Sequence, residues 1–475
     1  MDIDKSEKLR AFLEKLPEEA LERLTQAVEL DKLSGGSELP HGLLLEGLRP
    51  SITTSERHMD RTPTPMRMFC MPLEDLLVVN RTVKRAGRVA RSSLTPVWEW
   101  LASDLMPALF REHYDNLTTA ILENDTAKIR TSSAEFHQAG SAALTSALEA
   151  APESSERRKE IAEQLGGEDV VADAEDMAKA LAVATEVLDL RDDFIEPVKT
   201  LNRELLKKLC AKYDQVADQN TDSACYLLIV AMQRMSRPWE ILRTAAFLPK
   251  KNDKGGVDRG DLNMVADLLF GDMNDCIAFF EDQNPRTFDP DEACHQLTTY
   301  ARLAQGIASE LEVLNDKEWQ ESYDELQTRG AKDFERLIEH VPDQIKSAMP
   351  FRLIGTYAAK SSRRPDLRSD PDSELLDRAV KLATFMRESR PLAFAANVAE
   401  IHADAYDVIL DNLNAYRNGL LSELRSFEDA SLLSRARAYL DLTVELTAIL
   451  VSEGEAQIFR RKSAQAERND LAANG

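Results

Sequence analysis

The sequence predicts an all-α protein, built as elongated antiparallel helical bundles with an irregular, partly extended segment near residues 50–95. Three observations favour this fold class. Glycine accounts for only 18 of 475 residues and aromatic residues for 6%, which disfavours the turns and pleated strands of a β protein. Alternation of Val, Ile and Thr is rare. Apolar residues instead recur at steps of three and four, the spacing of one helix face.

The N-terminal part of the chain predicts two helices followed by irregular structure. The first helix carries an apolar stripe at i, i+3, i+4 and i+7, formed by Leu9, Phe12, Leu13 and Leu16. Pro17 then starts a second helix, because proline suits the first turn of a helix and breaks its interior. Residues 50–95 interrupt the helical pattern with prolines and clustered basic residues.

A second helical region is predicted from Thr95, which can cap a helix that has Pro96 in its first turn. Pro107 predicts a kink or break there, since it removes an interior backbone hydrogen bond. Residues 152–176 are acidic and contain two adjacent glycines, so we expect a solvated connection with marginal helix. The octapeptide CYLLIVAM, residues 225–232, is apolar on every side and predicts a helix at the centre of a bundle.

The C-terminal half predicts further helices separated by polar chain. The loop at 250–261 predicts a domain boundary, and residues 361–374 predict a linker. Asp289 is the predicted cap of a helix that has Pro290 in its first turn and Glu292 placed to bond back. Beyond the linker, five apolar residues keep the 4-3-4-3 rhythm typical of helices that pack side by side, as in coiled coils. They are Phe394, Val398, Ile401, Ala405 and Val408.

These boundaries predict three domains. An N-terminal helical module that contains the irregular basic segment occupies residues 1–94. A helical bundle occupies residues 95–250. A second bundle, with the linker near 361–374, occupies residues 261–475.

Charge and cysteine content narrow the classes of protein. The net charge is -24, which argues against a general nucleic-acid-binding face. No apolar run approaches the ~18 to 20 residues of a membrane span, so we expect no transmembrane segment. The start, MDIDKSEKLR, lacks the layout of a secretion signal. Five scattered cysteines without a Cys-x-x-Cys pair predict neither a disulfide framework nor a zinc knuckle. We therefore expect a cytoplasmic protein.

Local charge singles out residues 57–91, which contain eight basic residues against three acidic ones, a net charge of +5. The candidate partner-binding residues in this segment are Arg81, Lys84, Arg85, Arg88 and Arg91. The first four share one side of a predicted helix. Two interpretations stay open. Either these cations pair with the chain's own carboxylates, or they bind an anionic partner such as an acidic protein surface, a nucleic-acid backbone or lipid head groups.

The stretch RTPTPMRMFCMPLEDLL, residues 61–77, combines prolines with a dense apolar cluster. The prolines predict an extended entry. The cluster then predicts a segment that is buried against the helices as a structural plug. Because methionine adapts to irregular surfaces, Met66, Met68 and Phe69 are also candidates for a groove that binds a peptide or helix.

Carboxylates offer a second kind of site. Asp192, Asp193 and Glu196 have the DDxxE spacing, in which carboxylates one helical turn apart can share a magnesium ion. Residues 274–282 loosely resemble the second metal motif of class I terpene synthases, but Ala278 stands where that family has a hydroxyl residue. The resemblance covers two short patches of the chain and implies a metal-dependent enzyme.

No phosphate-binding glycine loop and no nucleophile elbow occur in the sequence, and we expect no cofactor. The sequence therefore favours a non-catalytic cytoplasmic helical scaffold or adaptor that acts through protein–protein interaction, with a homo-oligomer as one form of partner. The alternatives are a metal-dependent enzyme with the carboxylate site, and binding of nucleic acid or a membrane surface through residues 81–91.

Overall fold

The computed structural model describes Val28 and residues 63–79, 83–152, 155–195, 197–247, 259–354, 362–425 and 430–473. Helices account for 78% of the structure and its strands are short, so the predicted all-α fold is confirmed. The chain divides into two compact units, residues 1–265 and 266–475. The three-domain division stays a prediction, and the predicted helix with Leu9 and Leu16 lies outside the described residues.

The first unit contains helices and one short pair of strands. The helices are α1 (Pro65–Cys70), α2 (Leu94–Trp100), α3 (Pro107–Leu122), α4 (Thr126–Glu149), α5 (Glu156–Leu165), α6 (Glu168–Ala182), α7 (Ala184–Asp193), α8 (Arg203–Ala217), α9 (Cys225–Gln233) and α10 (Thr244–Phe247). Short 3-10 helices occupy Met71–Leu76, Arg91–Ser93, Thr221–Ser223 and Pro238–Arg243, and a π-helical turn occupies Leu101–Leu105. Strands β1 (Leu77–Val78) and β2 (Val89–Ala90) pair in parallel, with Leu77 opposite Val89.

From residue 259 onward the chain is again helical, with one β-hairpin. The helices are α11 (Arg259–Glu281), α12 (Pro290–Leu314), α13 (Lys317–Ile338), α14 (Val341–Ser347), α15 (Ser373–Ser389), α16 (Ala399–Glu423), α17 (Ala430–Leu450) and α18 (Glu453–Ala473). Strands β3 (Phe351–Ile354) and β4 (Ser362–Pro365) pair antiparallel, with Phe351 opposite Pro365. None of the helices in the described ranges is both long and apolar enough to cross a membrane.

Three local predictions are confirmed. Residues 225–232 are at most 1% exposed, so α9 lies in the core on every side. A π-helical turn ends before Pro107, and α3 begins with that proline in its first turn. Asp289 caps α12 by accepting hydrogen bonds from the backbone N–H groups of Asp291 and Glu292. Each prediction depended on a local rule. A helix that is apolar on every side is buried, and the unpaired N–H groups at the start of a helix favour a capping side chain or a proline.

The prediction for residues 152–176 is wrong. This acidic stretch contains α5 and most of α6, separated by a turn in which Gly166 adopts a φ of +100°. Asp173 and Asp176 are buried, at 0% and 6% exposure. Acidic composition favoured a solvated connection, but Ile161 and Leu165 give α5 an apolar face that is buried.

The stretch that begins at Pro63 has the predicted extended entry at Thr64 and is largely buried as predicted, but helix follows directly from Pro65. Thr64 caps α1 by accepting a hydrogen bond from the backbone N–H of Arg67, and Pro65 occupies the first turn. A proline at that position loses no helical hydrogen bond, which explains why helix forms directly after the prolines. The 3-10 helix follows without a break, and Leu73 is fully buried.

The predicted helix through residues 81–88 is also not found over its described part. Residues 83–88 form a turn in which Gly87 has a φ of +78°, a conformation that favours glycine. Backbone N–H groups on either side of Arg88 donate to buried carboxylates. The N–H of Gly87 donates to Asp176, and the N–H of Ala90 donates to Asp173. Those donors would serve the helix itself if the segment were helical.

In the second unit, the predicted apolar stripe and linker both need correction. Phe394 is 87% exposed and lies before α16, and Val408 is 48% exposed. The buried face of α16 is instead shifted along the helix and comprises His402, Ala405, Tyr406, Ile409, Leu413, Tyr416, Leu420 and Glu423. The predicted linker at 361–374 includes β4, whose Arg364 and the β3 residue Arg352 both pair with buried Glu423.

At Gly419, close packing should outweigh the higher helix propensity of alanine, so that replacing this glycine destabilises the protein. A Cβ atom added there would lie 2.5 Å from Cδ of Pro365, a ring held in β4, whereas one added at Gly454 meets nothing closer than 3.8 Å. Both glycines lie in helices, where alanine alone would gain about 1 kcal/mol. We expect Gly419→Ala to lower the free energy of unfolding of the second unit by about 1 to 3 kcal/mol.

Gly454→Ala is the matched control and should leave the free energy of unfolding unchanged or raise it. Guanidinium denaturation followed by circular dichroism measures both variants. Equal changes in the two would contradict the close approach of α16 and β4.

Candidate functional site

Lys84, the best described member of the predicted basic surface, points into the first unit. Its side chain is 16% exposed, and its ammonium pairs with Asp173 at 2.8 Å and with Asp176. The same ammonium donates a hydrogen bond to the backbone oxygen of Arg88 at 2.7 Å. Lys84 therefore satisfies carboxylates of its own chain, as the first of the two interpretations predicted.

The two carboxylates that hold Lys84 also accept hydrogen bonds from side chains of two other elements. Asp173 accepts a hydrogen bond from the hydroxyl of Ser93 at 2.6 Å, and Asp176 accepts one from the hydroxyl of Tyr226 at 2.6 Å. Burial and the Asp176 charge raise the pKa of Tyr226 well above its usual value, so its hydroxyl stays a donor. This buried network joins the basic segment to α6 and α9 and has a structural role.

The other basic candidates differ in exposure. Arg85 and Arg88 are half-buried and each makes contacts within the protein, and Arg91 is exposed. Arg81 lies outside the described residues. Binding of an anionic partner at these four arginines stays a prediction. Lys84 is not counted among the binding residues, because its ammonium is paired with Asp173 and Asp176.

A second charged network holds the 3-10 helix Met71–Leu76 in place within the first unit. Asp75 pairs with Arg191 at 3.2 Å and with Arg234 at 3.1 Å. Arg191 also donates to the backbone oxygen of Met71 at 2.6 Å, and Arg234 donates to that of Phe194 at 2.6 Å. These contacts hold the second half of the stretch 61–77 in one position, and Met71 from that half lines an adjacent groove.

A groove of about 560 Å³ opens between α1 with its following 3-10 helix, α4 and α7. We call it the α1–α4–α7 groove. The residues that line it are Met68, Met71, Thr126, Ile129, Arg130, Thr131, Ser133, Ala134, Glu135, His137, Gln138, Thr185, Leu188, Asp189 and Asp192. They repeat at three- and four-residue steps on α4 and α7, so each helix presents one face to the groove.

The floor of the groove is apolar and incompletely covered. Met68, Met71, Ile129 and Leu188 are all half-buried. Of the three apolar residues that the sequence nominated for partner binding, only Met68 lines the groove. Met66 is half-buried on α1 outside it. Phe69 is 0% exposed, so it belongs to the core and offers no docking surface.

His137 and Ser133 lie one turn apart on α4 and are 1% and 3% exposed. Nε2 of His137 lies 3.1 Å from the backbone oxygen of Met68. Because a carbonyl oxygen only accepts, Nε2 carries the hydrogen and Nδ1 of the neutral ring is an acceptor. Within the described part of the chain, neither Nδ1 nor the Ser133 hydroxyl has a hydrogen-bond partner. Two buried polar atoms of α4 therefore have unused hydrogen-bonding capacity.

Burial lowers the pKa of His137 to about 4 from its ordinary value of 6.5, although the bond to Met68 acts in the opposite direction. Between these pH values the unfolded chain binds a proton at this residue and the folded protein does not. We expect the free energy of unfolding to fall as the pH is lowered through this window, by about 2 to 3 kcal/mol from His137 alone.

The variant His137→Gln keeps an N–H group but no longer titrates, so its free energy of unfolding should depend less on pH than that of the wild type. His295 is exposed, and His295→Gln should retain the wild-type profile. Denaturant titrations from pH 7 to pH 4 compare the three proteins. Parallel profiles for wild type and His137→Gln would contradict a buried neutral imidazole.

The rim of the groove is acidic. Arg130 and Asp189 form an exposed ion pair across it, from α4 to α7. Glu135 and Asp192 are exposed carboxylates on the same two helices. Neither forms an ion pair with a described residue. The charged lining residues are therefore three acids and one base, a net charge of -2.

Two of the three residues of the predicted magnesium site, Asp192 and Asp193, are among the described residues. Asp193 accepts from Lys208 at 3.3 Å and pairs with Lys212 at 3.4 Å. Although partial burial favours the protonated acid, these lysines hold the pKa of Asp193 below its usual value. Asp192 lies on the groove rim, and Glu196 lies outside the described residues. In the described ranges no group of three or more His, Cys, Asp or Glu residues could hold a metal ion.

The groove was accessible to sequence reasoning only in part. Met68 and Asp192 were both nominated, but for different sites, and the structure brings them to one groove. Ser133 and His137 were missed. Their four-residue spacing gave the only signal, and it does not show that their polar atoms lack partners. No family model, curated protein or solved structure matches this chain.

Proposed function

We propose that this protein is a non-catalytic helical adaptor and that the α1–α4–α7 groove is where a protein partner docks. The observation that carries the proposal is the half-buried apolar floor of Met68, Met71, Ile129 and Leu188 between three helices. Covering that floor with a partner removes further apolar surface from water, at roughly 25 cal/mol per Å². The charged rim supplies direction and specificity to such docking.

The proposal places the protein in the cytoplasm. All five cysteines are free thiols, which suits a reducing compartment. Burial raises the pKa of Cys70, Cys210, Cys225 and Cys276 to about 12, and that of Cys294 to about 11. A nucleophilic cysteine reacts as the thiolate, so these raised values favour a non-catalytic role for the thiols.

The groove has more support than either alternative from the sequence. For a magnesium-dependent enzyme, Asp193 would first have to exchange Lys208 and Lys212 for a metal ion. For an anionic partner at residues 81–91, Lys84 would have to leave two buried carboxylates. The groove floor needs no such rearrangement, because its apolar side chains are already half-exposed.

The test of the adaptor proposal is one charge placed in the groove floor. Leu188→Glu puts a carboxylate among the apolar side chains, and Leu109→Glu makes the same change on α3, where Leu109 is 52% exposed and lies outside the groove. Affinity capture from the native cell with mass spectrometry compares both with the wild type, after circular dichroism shows that all three are folded. Light scattering tests self-association in parallel.

We expect wild type and Leu109→Glu to retain the same stoichiometric partner, and Leu188→Glu to lose it. A homo-oligomer would appear as self-association lost in the same variant. Identical results for all three proteins would reject the groove as the docking site.

A further inference from the structure

The β-hairpin of the second unit has two outer edges, and the edge on the β4 side is closed. Among the described residues, β3 and β4 pair only with each other. Pro365 of β4 is buried, and its ring lies where a Cβ atom added at Gly419 of α16 would fall. Proline also has no N–H group to offer to a further strand. The β4 edge is therefore a poor template for another strand.

The hydrogen-bond register of the hairpin shows which backbone groups of β3 point outward. The N–H of Asp366 donates to the backbone oxygen of Pro350 at 2.8 Å. The next pair along the ladder is Phe351 with Pro365. Hydrogen-bonded and non-hydrogen-bonded pairs alternate in an antiparallel ladder. Because the first of these pairs is hydrogen-bonded, the N–H and C=O groups of Phe351 point away from β4.

The same alternation leaves a second residue of β3 with outward backbone groups. Arg352 opposes Arg364, which is a hydrogen-bonded pair. Leu353 opposes Arg363, which is a non-hydrogen-bonded pair. Neither Phe351 nor Leu353 forms a backbone hydrogen bond with a described residue outside the hairpin. Since Leu353 is 72% exposed, β3 presents an accessible edge with two outward donors and two outward acceptors.

An accessible strand edge of this kind can bind an extended segment of another chain. Unpaired N–H and C=O groups form a template for pairing, and native proteins usually cover or blunt such edges. In strand addition, hydrogen bonds to the main chain supply affinity and the alternate side chains supply specificity. The sequence of the added segment is then restricted by the side chains that surround the edge.

The side chains that surround β3 are basic. Four arginines lie in or beside the hairpin, and two carboxylates pair with three of them, which leaves a net charge of +2 in a chain whose net charge is -24. The remaining arginine, Arg363, is exposed and forms no ion pair with a described residue. Two copies of this edge would repel each other, whereas acidic side chains are attracted to it. The arginines are Arg352, Arg363, Arg364 and Arg368, and the carboxylates are those of Asp366 and Glu423.

We propose that the outer edge of β3 binds an acidic extended segment of a protein partner by strand addition. The backbone groups of Phe351 and Leu353 hold the segment, and Arg363 selects its charge. This surface goes beyond the α1–α4–α7 groove, since all of its residues belong to the second unit. An adaptor that joins two partners needs a second docking surface of this kind.

The test uses the full-length protein and fluorescently labelled peptides of about six residues, the usual length of a strand. One peptide alternates glutamate with valine, and another alternates lysine with valine. In a further series, each backbone nitrogen of the glutamate peptide is methylated in turn. Fluorescence anisotropy measures the affinity of every peptide for the wild type and for the variants below.

The methylated series distinguishes strand addition from attraction between charges. An added strand offers only every second N–H group to its neighbour. Methylation should therefore weaken binding to the wild type about tenfold at alternate positions and leave the affinity nearly unchanged at the others. Equal effects at every position, or no binding of any peptide, would overturn strand addition.

Leu353→Pro tests whether β3 is the edge that binds. The N–H of Leu353 points outward, so proline removes a donor to the partner without removing a hydrogen bond of the hairpin. Leu353→Thr keeps the N–H group and is the matched control. We expect the proline variant to bind the glutamate peptide about tenfold more weakly, and the threonine variant to bind it nearly as the wild type does.

Circular dichroism first shows that both variants are folded. Wild-type affinity in Leu353→Pro would reject the β3 edge. The methylated peptides test the same backbone bonds on the wild type, so the proposal can fail even if the proline variant does not fold.

Arg363→Glu tests the charge of the partner. Arg460 on α18 is also exposed, so Arg460→Glu changes the net charge equally and is the control. We expect Arg363→Glu to lower the preference for the glutamate peptide over the lysine peptide by about tenfold. Arg460→Glu should keep the wild-type preference. An unchanged preference in Arg363→Glu would overturn the acidic partner.

The groove variant Leu188→Glu separates this surface from the α1–α4–α7 groove. The groove rim is acidic, with a net charge of -2 among its lining residues, and favours a basic segment. Leu188→Glu should therefore bind the glutamate peptide as the wild type does. Loss of that binding in Leu188→Glu would place the peptide in the groove and reject the β3 edge.

Discussion

Replacing Lys84 by methionine is expected to lower the free energy of unfolding of the first unit by about 3 to 5 kcal/mol. The substitution keeps an apolar stem of similar length and removes only the ammonium. Asp173 and Asp176 would then be two neighbouring carboxylates, 0% and 6% exposed, without the cation that lies between them. Removing one partner of a buried ion pair is costly because the remaining charge stays desolvated. Guanidinium denaturation monitored by circular dichroism measures the change.

Lys128→Met is the control. Lys128 pairs with Glu123 at 2.7 Å, but its side chain is 61% exposed. Exposed ion pairs are screened by water and contribute little to stability, so this variant should unfold almost as the wild type does. Similar small losses in both variants would show that Lys84 is solvated and that the basic segment is not anchored.

The anchoring of Lys84 also affects how the basic segment can be tested. Reversing the charge at Lys84 places a third acid beside Asp173 and Asp176, and would damage the fold whatever the segment binds. A loss of binding in such a variant would therefore not locate a docking surface. Arg91 is exposed, so Arg91→Glu tests an anionic partner with less risk to the fold.

Much of the fold was predictable because it follows from local rules. All-round apolarity of residues 225–232 predicts a central helix, and the cap at Asp289 depends only on residues 289–292. Long-range contacts were not predictable. Nothing within residues 152–176 shows that Asp173 and Asp176 receive Lys84 from some ninety positions away. Their acidity therefore suggested exposure when the fold uses them in its interior.

The candidate site was less predictable than the fold for the same reason. Sequence reasoning placed Met68 in a partner-binding segment and Asp192 in a metal motif, and their proximity depends on the packing of α1 against α4 and α7. Phe69 was nominated with Met68 because both are large and apolar. Phe69 is fully buried and the preceding residue, Met68, is half-buried, because successive side chains on a helix point in different directions.

Phe69→Ala is expected to lower the free energy of unfolding of the first unit by about 3 to 5 kcal/mol. The Phe69 ring is fully buried, with ring centroids 5.2 Å from Trp98, 4.9 Å from Phe136 and 5.7 Å from His137. Truncation leaves a cavity at the junction of α1 and α4. Met66→Ala is the control on the same helix, and a much smaller loss is expected because Met66 is half-buried. A comparable loss for Met66→Ala would contradict the plug.

The same ring explains a glycine inside α4 and gives the prediction a sharper form. A Cβ atom added at Gly140 would lie 2.8 Å from two carbons of the Phe69 ring. In the wild type, Gly140→Ala should therefore destabilise the first unit by about 1 to 3 kcal/mol. In the Phe69→Ala background the ring is gone, and the helix propensity of alanine should make the same substitution stabilising by up to about 1 kcal/mol. A double-mutant cycle measures this change of sign. If Gly140→Ala has one effect in both backgrounds, contact with Phe69 is not what requires glycine at this position.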